Sequence, residues 1–158
     1  MAAAMTGKEQ LEAFISRYTP EVAACARRAL ATMRRRLPGA VELVYDNYNA
    51  LVIGFGPSER ASEAIFSVAL YPRWVNLFFL QGATLPDPDR RLRGKGKFVR
   101  NIVLRDASEL DEPAVRTLID QAVQRAQNPI DGRSRRRLVI RSIWAKQRPR
   151  RPATKSRQ

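Results

Sequence analysis

The sequence predicts an α+β fold in which two N-terminal helices and one C-terminal helix pack on an antiparallel sheet of about five strands. Two observations carry this prediction. Residues 64–80 read as two strands rich in Val, Leu, Phe and Trp that meet at a corner around Pro72, and neither strand has a polar face. This hairpin is therefore predicted to be central and at least partly covered on both sides. Apolar residues at helical spacing precede and follow the strand-rich middle of the chain.

Two helices are predicted before the first strand. Residues 8–17 carry apolar side chains at helical spacing, which indicates a short amphipathic helix. A second helix begins at Thr19-Pro20, because threonine caps helices and proline is tolerated in the first turn. It ends at Leu37-Pro38-Gly39, where proline and glycine stop it.

The middle of the chain alternates strands and loops. Residues 41–46 and 48–55 are predicted as strands joined near Asn47, and the hairpin of residues 64–80 supplies two more. A fifth strand follows a basic glycine-containing loop and ends near Leu104. A third helix is predicted from Asp111 to about Gln127.

The charge is unevenly distributed along the chain. The whole sequence has 29 Lys+Arg and 15 Asp+Glu, yet residues 131–158 contain 11 basic residues and a single acidic one, Asp131. The sequence therefore predicts an α+β domain over residues 1–130 and a basic, Arg-rich, flexible C-terminal extension over residues 131–158. Within the extension, residues 134–145 have enough apolar side chains for a short helix or strand. Such a block of charge attracts polyanions.

The order and spacing of several short motifs resemble those of the YdhG-like domain family, a group of bacterial domains largely without assigned function. The resemblance covers about residues 19–123 and rests on motifs beginning at Leu37, Asn47, Gly56, Ala69 and Gly94. They read Leu-Pro-Gly-Ala, Asn-Tyr-Asn-Ala, Gly-Pro-Ser-Glu-Arg, Ala-Leu-Tyr-Pro-Arg and Gly-Lys-Gly-Lys. The resemblance implies helices packed on an antiparallel sheet of about five strands.

Some relatives in that family are described as frataxin-like iron chaperones, which makes iron carriage a minor alternative for this chain. Iron binding requires clustered carboxylate or imidazole ligands, and the sequence has no histidine. Related sequences often have histidine beside the arginine of the fifth strand, where this chain has Asn101. No metal ligand, cofactor or catalytic residue is therefore predicted.

Two regions are candidates for binding anions or nucleic acid. The glycines of Gly94-Lys95-Gly96-Lys97 allow backbone N–H groups to approach an anion, although the spacing is not that of a phosphate-binding Walker A loop. In the extension, arginines can neutralise phosphates and Trp144 can stack on an unpaired base. The candidate residues are Lys95, Lys97, Arg100, Arg135, Arg136, Arg137, Arg141 and Trp144. The alternative is a basic turn and a solvated tail without a dedicated partner.

A competing prediction is a small-molecule pocket, possibly enzymatic, at the strand ends. Its candidate lining residues are Tyr45, Asn47, Tyr48, Glu59, Arg60 and Trp74. Ordinary turn polarity and a surface Glu–Arg pair explain the same residues more simply. The sequence thus predicts a noncatalytic binding module first, and a pocket protein or enzyme of unknown reaction second.

The remaining features bear on assembly and location. If the helices cover only one side of the sheet, the other side exposes an apolar patch, which predicts either a homodimer or a small-ligand cavity. The single cysteine, Cys25, excludes an internal disulfide and fits a reducing cytoplasm. No apolar run approaches the roughly 18 residues of a membrane span, and no signal peptide is predicted.

Overall fold

The computed structural model describes residues 4–153. It contains three α-helices and a six-stranded sheet, with 3-10 turns at Ala61–Glu63, Gly82–Thr84 and Ala107–Asp111. The helices are α1 (Gly7–Ile15), α2 (Pro20–Arg36) and α3 (Pro113–Arg125). The strands are β1 (Val41–Asp46), β2 (Leu51–Gly56), β3 (Phe66–Leu70), β4 (Val75–Phe79), β5 (Arg100–Leu104) and β6 (Arg137–Ile143). Their order across the sheet is β5-β4-β3-β2-β1-β6.

Both N-terminal helices begin at threonine caps. The Thr6 hydroxyl accepts a hydrogen bond from the Glu9 N–H, and the Thr19 hydroxyl accepts one from the Val22 N–H. Each cap satisfies one of the N–H groups that a helix start leaves without a partner. α2 ends with three arginines in its last turn, where positive charge is favourable.

One core lies between the helices and one face of the sheet. In the register of the central strands, Val44, Ile53, Val68, Leu77 and Ile102 form a continuous row, and each is at most 3% exposed. The residues of α2 that pack against this face are small, so the helix lies close to the sheet. They are Ala23, Ala26 and Ala29, all buried.

The α+β class predicted from the sequence is confirmed, with three helices as expected. The sheet has six strands instead of about five, and it is mixed because β6 pairs parallel with β1 while every other pair is antiparallel. The sixth strand comes from residues 137–143, which the sequence analysis assigned to the C-terminal extension. Residues 131–136 and 144–153 flank this strand, and the last part of the extension, with Lys155 and Arg157, lies outside the described residues.

The second face of the sheet carries small and apolar residues. Alternation along the strands places Leu43, Val52, Ala69, Phe78 and Val103 on this face. None of these five residues belongs to the core cluster that the helices share with the first face. Leu43 and Ala69 are nevertheless buried, whereas Phe78 is half-buried, so this face is covered in part.

Candidate nucleic-acid interface

The β6 strand and its flanks form a cationic edge of the sheet. β6 pairs only with β1, so it is the outermost strand on this side. The register shifts between Val44 and Tyr45, which leaves Arg141 as an extra, unpaired residue of β6 and exposes it. We use the name basic edge for the cations that this strand and its flanks carry: Arg133, Arg135, Arg136, Arg137, Arg141, Lys146, Arg148 and Arg151.

The segment before β6 is fixed against the end of α2. Gly39 has a φ of +81°, which glycine adopts without penalty, and a Cβ at this position would lie 2.0 Å from the carbonyl oxygen of Asp131. The Arg136 guanidinium donates to the Arg34 carbonyl oxygen over 2.7 Å. These contacts position β6 beside β1.

The segment after β6 crosses the end of the β1–β2 hairpin and is held by backbone contacts. The Trp144 N–H donates to the Asp46 carbonyl oxygen over 2.9 Å, and the Arg148 N–H donates to the Tyr48 carbonyl oxygen over 2.8 Å. The Gln147 side-chain amide also donates to the Asp46 carbonyl, over 2.9 Å. The chain is therefore bound to the sheet beyond the end of its last strand.

Arg150 is the anchor of this segment. Only 4% of the residue is exposed, and its guanidinium donates to an Asp46 carboxylate oxygen over 2.9 Å and to the carbonyl oxygens of Asn47 and Tyr48. Its guanidinium carbon also lies 5.8 Å from the centre of the Tyr18 ring. Asp46 is 1% exposed, so the two charges form a buried pair. A charge buried to this degree needs such a partner.

The basic edge has few acidic partners among the described residues. Its one pairing with a carboxylate joins Arg137 to Glu59 over 3.7 Å. The other seven cations of the basic edge have no described carboxylate within 4.0 Å. β6 and its flanking segments together thus present uncompensated positive charge.

Two exposed apolar residues stand between cations of the basic edge in the chain. Trp144 is 54% exposed and Ile143 is 56% exposed, and both stand at the end of β6. The Arg148 guanidinium lies 5.9 Å from the centre of the Tyr48 ring. An accessible indole among arginines has the chemistry of a stacking platform for an unpaired base.

The Gly-Lys loop lies at the opposite edge of the sheet. It precedes β5, the outermost strand on that side, and five strand spacings, or about 24 Å, separate β5 from β6. Lys95 and Lys97 are exposed, but the Arg100 guanidinium donates to the carbonyl oxygens of Gly96 and Val99. Arg100 therefore shapes the loop. The two predicted anion-binding regions do not form one surface.

The predicted pocket residues divide between the two ends of the sheet. Asn47 and Tyr48 lie in the β1–β2 turn, and Trp74 lies in the β3–β4 turn at the same end, where it stacks on Tyr71. Glu59 and Arg60 follow β2 at the other end, about 20 Å away along the strand. Tyr45 points to the second face of the sheet, and its hydroxyl is buried without a hydrogen-bond partner among residues 4–153.

A cleft elsewhere has the volume of a ligand site. It measures about 320 Å³ and lies between the 3-10 turn before β3, the end of β4 and the C-terminal end of α3. Glu63 and Arg125 are among its lining residues, and the Arg125 guanidinium is tied to the Thr84 carbonyl oxygen over 3.0 Å. None of the six predicted pocket residues lines it.

Burial shifts the pKa of Tyr18, Tyr71 and Cys25 upward and the pKa of Arg36 downward. Burial raises the pKa of the Tyr18 hydroxyl, a shift that Arg150 opposes, and burial also raises the pKa of Tyr71. Burial raises the pKa of the Cys25 thiol, and the carboxylates of Asp106 and Glu109 add to this. Tyrosine and cysteine ionise above neutral pH even without such a shift, so the two tyrosines and the thiol stay protonated at pH 7.

Residues 4–153 contain neither a cluster of metal-ligating side chains nor a membrane-spanning helix. No group of three or more His, Cys, Asp and Glu side chains lies close enough together there to hold a metal ion. No helix in this range is long and apolar enough to cross a membrane.

Comparison with protein-family models, curated proteins and solved structures gives no significant match to the chain. The resemblance to the YdhG-like family therefore stays a prediction from the sequence motifs.

Proposed function

We propose that this protein is a noncatalytic module that binds nucleic acid through the basic edge. The observation that carries the proposal is the set of exposed cations, most of them without a described carboxylate partner, on β6 and on the two flanking segments that are fixed to the rest of the fold. β6 has seven residues and extends about 23 Å at ~3.3 Å per residue. A strand of B-form DNA has one phosphate per ~3.4 Å, so the edge matches the length of about seven phosphates.

The energetics of such an interface come mainly from counterion release. Each phosphate that an arginine or lysine neutralises frees condensed cations, so affinity falls as salt rises. If about five phosphates were engaged, the log–log salt slope would be about −4 to −5 on duplex DNA. Phosphate contacts position a protein without reading sequence, so we expect little sequence preference.

Trp144 adds a contact that only single strands offer. Trp144 is more than half exposed and directly follows β6, between Arg141 and Lys146 of the basic edge in the chain. Stacking on an unpaired base contributes roughly 1–3 kcal/mol. We therefore expect single-stranded nucleic acid to bind more tightly than duplex at equal salt.

The test is fluorescence anisotropy with a labelled single-stranded oligonucleotide and the matching duplex, at about 50 and 200 mM salt. Removal of the extension would also remove a strand of the sheet, so point variants are preferable. The double variant Arg135→Gln/Arg141→Gln removes two exposed charges of the basic edge. Its matched control, Arg73→Gln/Arg116→Gln, removes two exposed arginines elsewhere that have no described carboxylate partner.

We expect the basic-edge variant to lose about tenfold or more in affinity at low salt and about 1.4 units of salt slope on single strands, from ~0.7 per phosphate. The affinity of the control variant should stay within about twofold of the native value. Both double variants lower the net charge by the same amount, so a larger loss in the basic-edge variant reports the position of the charges. Trp144→Ala should weaken single-strand binding about tenfold and leave duplex binding almost unchanged. Equal losses in the two double variants, or no binding by the native protein, would refute the proposal.

A further inference from the structure

An arginine-lined recess lies at the β5 edge, far from the basic edge. It has a volume of about 310 Å³, and β5 forms its floor. Six of its eight lining residues are charged: Arg90, Arg91, Arg93, Arg105, Glu109 and Glu112. This composition suits a small, strongly polar ligand, because sites for apolar ligands are lined mainly by apolar side chains.

The loop that carries three of these arginines is held in one conformation. The Asp87 carboxylate accepts hydrogen bonds from the N–H groups of Arg91 and Leu92, over 2.8 and 2.9 Å. Arg93 pairs with Asn101 of β5 through two backbone hydrogen bonds of 2.8 Å. The backbone that carries these arginines is therefore positioned before any ligand arrives.

Arg90 is the one non-glycine residue in residues 4–153 with a positive φ, at +53°. A branched or long side chain pays an energetic cost in this left-handed conformation, and such outliers occur where the surrounding structure enforces them. Here the Asp87 turn enforces it, since the Arg90 N–H also donates to the Asp87 carbonyl oxygen over 3.1 Å. The turn places the Arg90 side chain among the residues that line the recess.

The carboxylates of the recess are already engaged. Glu112 pairs with Arg91, and a Glu109 carboxylate oxygen accepts a hydrogen bond from the Arg105 N–H over 3.2 Å. The guanidinium groups of Arg90, Arg93 and Arg105 have no carboxylate within 4.0 Å in the described part of the chain. Four arginines against two glutamates leave the recess with a net charge of +2.

We propose that this recess binds the phosphate group of a small phosphorylated ligand. A phosphate monoester carries about −1.5 to −2 charge at neutral pH, which matches the excess charge of the recess. Guanidinium groups bind phosphate oxygens bidentately, and three of them have their donors free of carboxylates. The site is independent of the basic edge, because the two lie on opposite edges of the sheet.

Isothermal titration calorimetry with inorganic pyrophosphate as the probe tests this site. We expect saturable binding with a stoichiometry of one, weakened about tenfold or more by Arg93→Ala/Arg105→Ala. The matched control Arg73→Ala/Arg116→Ala should bind within about twofold of the native protein. The basic-edge variant Arg135→Gln/Arg141→Gln should also bind pyrophosphate normally. This result makes a failure of the phosphate site distinguishable from a failure of the nucleic-acid interface.

A conservative variant distinguishes a loss of binding from a loss of folding. Arg93→Lys/Arg105→Lys keeps both charges but loses the planar fork, so we expect an intermediate affinity with native circular dichroism. Absence of saturable heat up to about 5 mM pyrophosphate, a range that covers weak sites, would overturn the proposal. So would equal weakening in the recess and control variants.

Vesicles containing phosphatidic acid distinguish a lipid headgroup from a soluble phosphate ester. Co-sedimentation that the recess variant abolishes and pyrophosphate competes away assigns the phosphate to a lipid. Pyrophosphate binding without co-sedimentation assigns it to a soluble ligand, and both results support the site.

Discussion

Replacement of Arg150 tests whether the C-terminal segment is part of the folded structure. Arg150→Met retains most of the apolar stem and removes the guanidinium, which makes hydrogen bonds to Asp46, Asn47 and Tyr48. The Asp46 carboxylate would then be buried with Arg17 as its remaining charged partner, at 3.5 Å. Removal of one member of a buried pair costs about 3–5 kcal/mol, because the other charge stays desolvated.

We expect the free energy of unfolding to fall by about 3 kcal/mol, at the lower end of this range, because Arg17 retains part of the interaction. Urea denaturation followed by tryptophan fluorescence and by far-ultraviolet circular dichroism measures the change. Arg148→Met is the matched control, since Arg148 is exposed and its guanidinium lies over the Tyr48 ring. That variant should lose at most about 1 kcal/mol, the value of an exposed cation–π contact.

The double variant Asp46→Asn/Arg150→Met separates two contributions to the lost stability: the burial of the Asp46 carboxylate without Arg150, and the loss of packing around residue 150. It should be more stable than Arg150→Met alone, because the asparagine leaves no unpaired carboxylate. A loss below about 0.5 kcal/mol in Arg150→Met would refute the anchoring role, since this is the range of ordinary surface substitutions.

Two further predictions concern the fold and the single thiol. Gly39→Ala should destabilise the protein by roughly 2–4 kcal/mol in urea denaturation, because the left-handed backbone is strained and the new Cβ would overlap the Asp131 carbonyl oxygen. Gly96→Ala is its control, with the nearest atom at 3.9 Å, and equal losses would contradict the reasoning. Burial raises the pKa of the Cys25 thiol, so alkylation by iodoacetamide at pH 7 should be slower than that of free cysteine and should accelerate as pH rises. A rate at pH 7 equal to or above that of free cysteine would contradict it.

Most of the helices and strands could be predicted from the sequence because their signals are local. Threonine and proline mark the start of α2, and Leu37-Pro38-Gly39 marks its end, both within one or two residues of the structure. β1 matches residues 41–46, whereas β2 begins at Leu51, three residues later than predicted, because residues 47–50 form the turn. Trp74 was predicted within a strand but lies in the β3–β4 turn.

The pairing of β6 could not be predicted in the same way. Three consecutive apolar residues stand between Arg137 and Arg141, and so short an apolar run is compatible with either a helix or a strand. The contact that decides between them is parallel pairing with β1, about one hundred residues earlier in the chain. The recess at β5 was missed for a related reason. Arg105 comes from the end of that strand, and the other recess arginines precede it by at least twelve positions, so no linear motif unites them.

The high charge of the C-terminal region was treated as one property in the sequence, but the structure divides it into two roles. Arg150 is buried with Asp46 and fixes the segment, while the cations of the basic edge face solvent. A flexible arm would lose conformational entropy when it ordered on a ligand, about 0.5–1.5 kcal/mol for each immobilised side chain in addition to its backbone. A strand already held in the sheet has lost its backbone freedom on folding. The buried pair therefore preorganises the proposed interface, and the stability of the fold and the affinity of the basic edge depend on the same contacts.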